Sequence, residues 1–198
     1  GGLGGVVVRP VGSELCYCRP GTTWERESED FYAPDCIDEI NWAPIIFVRI
    51  SKAGKCIGEK FASRYYDAFN FGALMYCNQG ETAFTSCVDH SSLLPAPLYN
   101  PVVMEGSDNV YEVKKNGETV FGFPRVAFAR GMAPSESPLK EMVEDAVCKA
   151  SRLTSLRIGD FVAVELTPVS PLASRQEGEI SFKATYCENE LYDMKVIF

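Results

Sequence analysis

The sequence has 198 residues, with 19 lysines and arginines against 27 aspartates and glutamates, and therefore a net charge of −8. With 46% hydrophobic and 12% aromatic residues, a chain of this length can bury an apolar core, which argues against disorder. The acidic balance argues against nucleic-acid and anionic-membrane partners, because both require a basic surface. The apolar runs are shorter than the roughly 20 residues that span a bilayer, so no membrane segment is expected.

Eight cysteines are scattered through the chain, at positions 16, 18, 36, 56, 77, 87, 148 and 187. No C-x-x-C spacing occurs, a chain of this size does not depend on disulfides, and free cysteine packs as a small apolar residue. We therefore expect reduced, mostly buried thiols and a cytoplasmic protein. Disulfides, together with a signal peptide that has been removed, are the open alternative.

The first third of the chain predicts short strands and one buried strand. Residues 1–14, which begin with a glycine-rich stretch, are expected to be a flexible or trimmed N-terminus, followed by a single domain over residues 15–198. A turn signal at Arg19-Pro20-Gly21-Thr22 predicts a strand, a turn and a second strand up to Tyr32. The branched apolar run of residues 45–50 predicts a buried strand.

A short helix is predicted after that strand. Phe61, Tyr65 and Ala68 have the spacing of one helical face, which predicts a helix over residues 59–68. The apolar residues 69–77 that follow are predicted to be buried.

The second half of the chain predicts a hairpin, one long helix and closing strands. Asn116-Gly117 supplies the two positive φ angles of a tight hairpin turn within residues 112–120. Ser137 can cap a helix that begins at Pro138, and the apolar periodicity continues to a helix end near Leu156. Strand-like segments follow at residues 161–166, 179–186 and 191–198. Together these elements predict an α+β fold that is mainly β.

Nucleophilic catalysis would have to involve His90, the only histidine. Asp89, Ser91 and Ser92 are its neighbours in sequence, but adjacent residues of an extended chain point in opposite directions, so this run does not make a catalytic triad. The sequence contains no G-x-S-x-G, no P-loop and no dinucleotide-binding fingerprint. We therefore expect His90 to lie in an exposed or capping loop.

Two groups of charged residues are candidates for chemistry. Asp35, Asp38 and Glu39 carry the oxygens that hard divalent cations prefer, but their spacing is equally typical of a solvated loop, which we favour. Arg49 and Glu165 stand in apolar runs, where each is either an active-site group or half of a buried ion pair. We favour the ion pair.

Several segments stand in an order and spacing that is moderately specific when they are taken together. They are residues 31–42 (FYAPDCIDEINW), 54–68 (GKCIGEKFASRYYDA), the 113–120 hairpin, 153–160 (LTSLRIGD), Thr167-Pro168, and 177–196. In this order they resemble the catalytic domain of the fumarylacetoacetate hydrolase family over about residues 15–198. The resemblance implies a mixed β-sandwich or roll with one long helix and one short helix.

The resemblance also implies a metal site, because members of that family hold Mg²⁺, Mn²⁺ or Ca²⁺ with an E-x-E pair on one strand and an aspartate on a later one. Carried over position by position, the three ligands fall on Ala43, Ile45 and Leu74, none of which can bind a cation. The family's lysine falls near Ser86 and its G-T-P turn at Thr167, so these two are expected to contact substrate.

The family activates water with an early His/Glu pair, which has no counterpart here because nothing before His90 is histidine. We therefore expect a non-catalytic protein, or pseudoenzyme, of this family, with no cofactor, that binds a small molecule or a protein partner. A homodimer or pairing with an active relative is expected, and no nucleic acid or membrane. The alternative is a divergent Mg²⁺- or Mn²⁺-dependent hydrolase or decarboxylase of acylpyruvate-like or oxaloacetate-like substrates, with a relocated site. Asp35, Asp38, Glu39 or Glu165 would supply that site.

Overall fold

The computed structural model describes residues 4–78, 86–106, 108–124 and 138–198. These residues form one α-helix, thirteen β-strands and four 3₁₀ helices, so the prediction of a mainly β α+β fold is confirmed. The α-helix is α1 (Pro138–Leu153), and the 3₁₀ helices are Gly21–Thr23, Glu59–Arg64, Pro101–Glu105 and Arg175–Glu177. The strands are β1 (Val6–Arg9), β2 (Tyr17–Arg19), β3 (Trp24–Glu25), β4 (Phe31–Tyr32), β5 (Glu39–Ile50), β6 (Tyr66–Asn78), β7 (Ser92–Leu93), β8 (Tyr111–Lys115), β9 (Glu118–Phe123), β10 (Phe161–Glu165), β11 (Ser170–Ser174), β12 (Glu179–Tyr186) and β13 (Asn189–Ile197).

The strands form two sheets. The larger sheet has the order β2-β1-β10-β5-β6-β7-β3, with β11 also paired to β5, and the smaller has the order β4-β13-β12-β8-β9. The long antiparallel pair of β5 and β6 lies at the centre of the larger sheet. Because side chains alternate along a strand, β5 presents Ile46 and Val48 to one face and Ala43, Ile45 and Phe47 to the other.

The first of these faces belongs to the main core, which includes residues of both sheets and of α1. The helix buries Leu139, Val143, Val147 and Ala150 there, at spacings of three and four residues, and contacts β1, β5 and β10. Residues 138–153 confirm the predicted helix, although it ends three residues before Leu156. The predicted cap, Ser137, lies outside the described residues.

The N-terminal segment differs from its prediction. Residues 1–14 were expected to be flexible or trimmed, but Val6–Arg9 form β1, and Val6 and Val8 are fully buried. β1 lies between β2 and β10, with Val6 opposite Phe161 in a parallel pairing. The parallel partner β10 is too distant in sequence to leave a local signal, and the turn at Val11-Gly12, which joins β1 to its antiparallel partner β2, was not recognised.

The short helix is also shorter than predicted, because residues 66–68 belong to a strand. The 3₁₀ helix ends at Arg64, and Tyr66 then pairs with Ile50, and Ala68 with Arg49, on β5. Strand pairing has overridden the helical spacing of Phe61, Tyr65 and Ala68. The hairpin prediction is confirmed, since Asn116 and Gly117 have φ angles of 50° and 82° between β8 and β9.

None of the eight cysteines, all of which lie in the described ranges, forms a disulfide, but only Cys77 and Cys148 are buried, so the expectation of mostly buried thiols was wrong. Several of the exposed ones, such as Cys36 and Cys56, lie in the connections between strands and not in the strands themselves. None of the helices in the described ranges is long and apolar enough to cross a membrane.

Candidate functional site

The structure brings the three predicted ligand positions together on one face of the larger sheet. Leu74 of β6 stands directly opposite Ala43 of β5, and Ile45 follows two residues later on the same face. All three side chains have 0% exposure. They belong to an apolar cluster that also contains Val6, Val8, Phe47, Tyr76, Leu94, Phe161 and Ala163. Ala, Ile and Leu have no oxygen donor, so these three residues do not fit a divalent cation.

The apolar cluster is closed by the chain that leaves β7. Gly72 stands opposite Ile45, and a Cβ atom at this position would lie 2.1 Å from the carbonyl oxygen of Leu93. Only glycine permits this close approach. The chain therefore crosses directly over the sheet, and Leu94, at 1% exposure, becomes part of the cluster.

A buried polar network around Arg19 adjoins the apolar cluster. Arg19, the last residue of β2, is 1% exposed, and its guanidinium lies over the ring of Tyr76 at 4.6 Å. It donates to the Ser91 and Ser92 hydroxyls at 3.1 and 3.3 Å and to the Met75 carbonyl at 2.9 Å. Ser92 is the strand neighbour of Leu74, so a protein cation lies next to one of the three predicted ligand positions.

The network continues through two tyrosines to Glu165. Arg19 has no acceptor atom, so the bond from its Nε, 3.1 Å long, makes the Tyr17 oxygen the acceptor. Tyr17 can then donate its proton to Tyr76, and Tyr76 donates to the Glu165 carboxylate. Glu165 stands opposite Ile45 on β10, so Tyr76 reaches across β5 from the strand on its other side. The result is a hydrogen-bonded chain from a buried cation to a buried carboxylate.

Burial raises the pKa of Glu165 above its ordinary value, and hydrogen bonds from Tyr76 and the Val11 backbone, with the charge of Arg19, offset only part of this effect. Burial likewise raises the pKa of Tyr17 and of Tyr76. Both tyrosines therefore keep their protons at neutral pH, and the order of donors in the network is maintained.

The raised pKa of Glu165 predicts a pH-dependent effect of Glu165→Gln. The folded protein holds this proton to a higher pH than the unfolded chain does, so the contribution of Glu165 to stability falls as the pH rises from the unfolded pKa through the folded pKa. The glutamine variant has no such proton to lose. We expect its free energy of unfolding, measured in urea titrations, to improve relative to the native chain as the pH rises above the pKa of an unfolded glutamate. Parallel pH profiles for the two proteins would contradict the assignment.

A histidine–carboxylate pair lies next to this network. His90 Nδ1 is 2.7 Å from Glu25, whose carboxylate is buried and also accepts the Glu27 backbone N–H at 3.0 Å. The His90 side chain is 58% exposed, which confirms the prediction of an exposed loop. In the described part of the chain Ser91 and Ser92 bond to Arg19 and not to His90, so no triad forms. The pair fixes the turn that presents Ser91 to Arg19.

Arg49 and Glu165 were each predicted to be half of a buried ion pair, and among the described residues neither of them is. Arg49 is exposed at the end of β5 and makes a two-pronged pair with Asp67 at 3.0 and 3.1 Å, whereas Glu165 is buried among hydroxyl groups. The error has a physical reason, since strand ends reach solvent even when the strand itself is buried.

The acidic residues around the start of β5 lie on the protein surface. Asp38 pairs with Arg175 at 3.0 Å, and Asp35 and Glu39 are exposed. Among the described residues no group of three or more His, Cys, Asp or Glu side chains could hold a metal ion. Glu39 is six residues from Ile45 on β5, which corresponds to roughly 20 Å. Glu165, beside Ile45, therefore cannot share a site with Glu39.

The two residues predicted to contact substrate, Thr167 and Ser86, lie in different parts of the structure. Thr167 is half-buried just after β10. The N–H of its neighbour Leu166 donates to the Pro44 carbonyl at 2.8 Å, which places Thr167 close to Ala43 on β5. Ser86 is 7% exposed in the connection between β6 and β7. No hydrogen bond joins the two within the described residues, and their role in binding stays a prediction.

Sequence reasoning missed Arg19, Tyr17, Tyr76 and Glu25. We assigned Arg19 only to a turn signal. Because side chains alternate along a strand, Tyr17 and Arg19 share one face and Cys18 lies on the other, which indicates a strand with one polar face. Tyr76 gave no signal, because tyrosine in an apolar run is typical of an ordinary core strand. Glu25 gave none, because its partner His90 is 65 residues away.

Comparisons with known proteins agree with the fold. No protein-family model and no curated protein sequence matches this chain. Among solved structures, a fumarylpyruvate hydrolase of Pseudomonas aeruginosa, in complex with Mn²⁺ and pyruvate, has a TM-score of 0.75 at 15% identity and covers 99% of this chain and 90% of its own. A fumarylacetoacetate hydrolase family protein of Yersinia pestis has a TM-score of 0.74 at 14% identity, with coverages of 98% and 93%. A 5-carboxymethyl-2-hydroxymuconate delta-isomerase of Mycobacterium smegmatis has 0.73 at 13%, with 98% and 79%.

Proposed function

We propose that this chain, which has the fold of the fumarylacetoacetate hydrolase family, is a non-catalytic protein of that fold that binds a small molecule or a protein partner. The observation that carries the proposal is the packing of Ala43, Ile45 and Leu74 in one buried apolar cluster. These are the positions to which the sequence resemblance assigns the metal-binding carboxylates.

The three ligand positions are apolar together, and the cost of burying charge accounts for this. Carboxylates clustered in a buried site repel one another and lose hydration unless a cation holds them, whereas apolar side chains at all three positions fill the space at no such cost. The nearby guanidinium of Arg19 adds a further argument, because a second cation beside it would be repelled.

The proposal predicts that the protein does not take up a divalent cation specifically. Calorimetric titration with Mg²⁺ and with Mn²⁺ is expected to give no stoichiometric binding tighter than about 1 mM, because oxygen ligands are lacking at the three positions. Tight, stoichiometric binding that is abolished by Asp35→Asn, Glu39→Gln or Glu165→Gln would contradict the proposal and favour the relocated metal site.

The second candidate function is a metal-dependent hydrolase or decarboxylase of acylpyruvate-like or oxaloacetate-like substrates. The fold alone is compatible with it, since the structures named above include hydrolases and an isomerase. Its four candidate carboxylates do not meet, however, because Glu165 stands opposite Ile45 in the middle of β5, whereas Glu39 is the first residue of that strand, roughly 20 Å away. Metal-supported turnover of either substrate class, lost on substitution of a carboxylate, would establish this function instead.

We further propose a homodimer, or pairing with an active relative, in the cytoplasm. Closed two-fold symmetry is the commonest assembly of chains of this kind. The eight cysteines, which form no disulfide in the described part of the chain, fit a reducing compartment. A monomer in sedimentation experiments at micromolar concentration would contradict the dimer.

A further inference from the structure

A pocket of about 460 Å³ opens on the same face of the larger sheet, beyond the apolar cluster. It lies at the Arg49 end of β5, six residues and roughly 20 Å from Ala43. Aromatic and aliphatic side chains line it, among them Trp24, Leu98, Tyr99 and Phe161. Its volume is within the range of roughly 300 to 1,000 Å³ that is usual for small-molecule sites.

Hydrogen bonds hold the walls of this pocket in place. The indole N–H of Trp24 donates to the Leu94 carbonyl at 3.0 Å, and the Trp24 ring packs edge-on against Phe161 at 4.8 Å. The buried amide of Asn70 donates to the Pro95 and Pro97 carbonyls at 3.2 and 3.0 Å, which fixes the segment of the wall that contains Pro95 and Ala96. A ligand would therefore meet a site that is already formed, and little ordering would be needed on binding.

The charges of the pocket favour an anion, although the chain as a whole carries −8. Its charged residues are Arg26, Arg49 and Asp67. The Arg49 guanidinium is neutralised by its two-pronged bond to Asp67. Arg26 forms no ion pair with any residue that the structure describes, and its guanidinium is stacked over the Trp24 ring at 4.1 Å. The pocket thus has one unneutralised guanidinium beside an aromatic wall.

We propose that this pocket binds a small aromatic monocarboxylate, with the carboxylate on Arg26 and the ring against Trp24 and Phe161. A guanidinium binds a carboxylate through two parallel hydrogen bonds, and stacking on Trp24 holds its plane for that purpose. The aromatic rings of the pocket bury the apolar body of the ligand. The inference rests on the proposed function in that it names the small molecule's class and its site.

Calorimetric titration of the whole protein with benzoate, with trans-cinnamate and with the neutral cinnamamide tests this assignment. We expect at least one of the two acids to bind one-to-one with a dissociation constant below about 1 mM. We expect cinnamamide to bind at least about tenfold more weakly than cinnamate, because it cannot form a charged pair with Arg26.

Matched variants locate the site. Arg26→Gln is expected to weaken binding of the acids at least about tenfold. Arg64→Gln is the control, because Arg64 is also an exposed arginine stacked on a ring, that of Phe61 at 5.2 Å, but does not line the pocket. Circular dichroism confirms that both variants are folded. Failure of both acids to bind, equal binding of the amide, or unchanged affinity in Arg26→Gln would each overturn the inference.

The result of the titrations with aromatic acids does not depend on the result of the metal titration. Specific metal binding together with cinnamate binding that depends on Arg26 would overturn the non-catalytic proposal and leave the pocket assignment intact. Absence of both would overturn the pocket assignment alone.

Discussion

Replacement of Arg19 by methionine is expected to lower the free energy of unfolding by about 3 to 5 kcal/mol. Methionine fills a similar volume, but it leaves the buried Ser91 and Ser92 hydroxyls, the Met75 carbonyl and the half-buried Tyr17 hydroxyl without their donor. It also removes the one cation that partly offsets the cost of burying Glu165. The measurement is urea unfolding at neutral pH, followed by circular dichroism.

Two variants serve as controls for this prediction. Arg64→Met removes an exposed arginine that is also stacked on a ring, and should change stability by less than about 0.5 kcal/mol. Arg19→Lys keeps the charge but loses the planar fork, so it should be destabilised by an intermediate amount. A loss of less than about 1 kcal/mol in Arg19→Met would mean that water reaches the network, contrary to the 1% exposure of Arg19.

The second large effect is expected from a carboxylate at the third ligand position. Leu74→Asp should destabilise the protein by on the order of 4 kcal/mol at neutral pH, because it loses buried apolar contacts and puts an ionisable group among apolar neighbours. Leu74→Asn has the same size and no charge. The Asp variant should therefore become less stable than the Asn variant as the pH rises, since the buried carboxyl resists ionisation.

Unfolding of the two Leu74 variants at acidic and neutral pH checks this prediction. An Asp variant that is as stable as the native chain at neutral pH, or one that gains stability on addition of Mn²⁺, would indicate that this position still accommodates a cation. That result would count against the non-catalytic proposal.

The parts of the fold that were predictable are those that local sequence determines. The Asn116-Gly117 turn is specified by the φ angles that these two residues adopt, and the spacing of Leu139, Val143 and Val147 is specified by the pitch of a helix. The assignment of residues 66–68 to a helix was wrong because periodicity describes only one segment. Pairing of Tyr66 with Ile50 depends on a second strand, which periodicity does not include.

In the candidate site, too, some residues could be identified from the sequence and others could not. The resemblance was sufficient to identify Ala43, Ile45 and Leu74 as positions that belong together, and the β5–β6 register brings them together. It could not indicate Arg19, because the importance of that residue comes from partners on β6 and β7 that are more than fifty positions away. Nor could it indicate Arg26, whose stacking on Trp24 depends on the way the chain leaves β3.

The parallel pairing of β1 with β10 has a consequence for the order of folding. Gly5, just before β1, donates its N–H to the Asp160 carboxylate, 155 positions further along the chain. During synthesis β1 emerges from the ribosome long before β10, its parallel neighbour in the sheet, which follows α1. Until then Val6, Val7 and Val8 form an apolar strand with one edge unpaired, which is a hazard for aggregation. Closing so long a loop is slow, so the larger sheet should be completed late in folding.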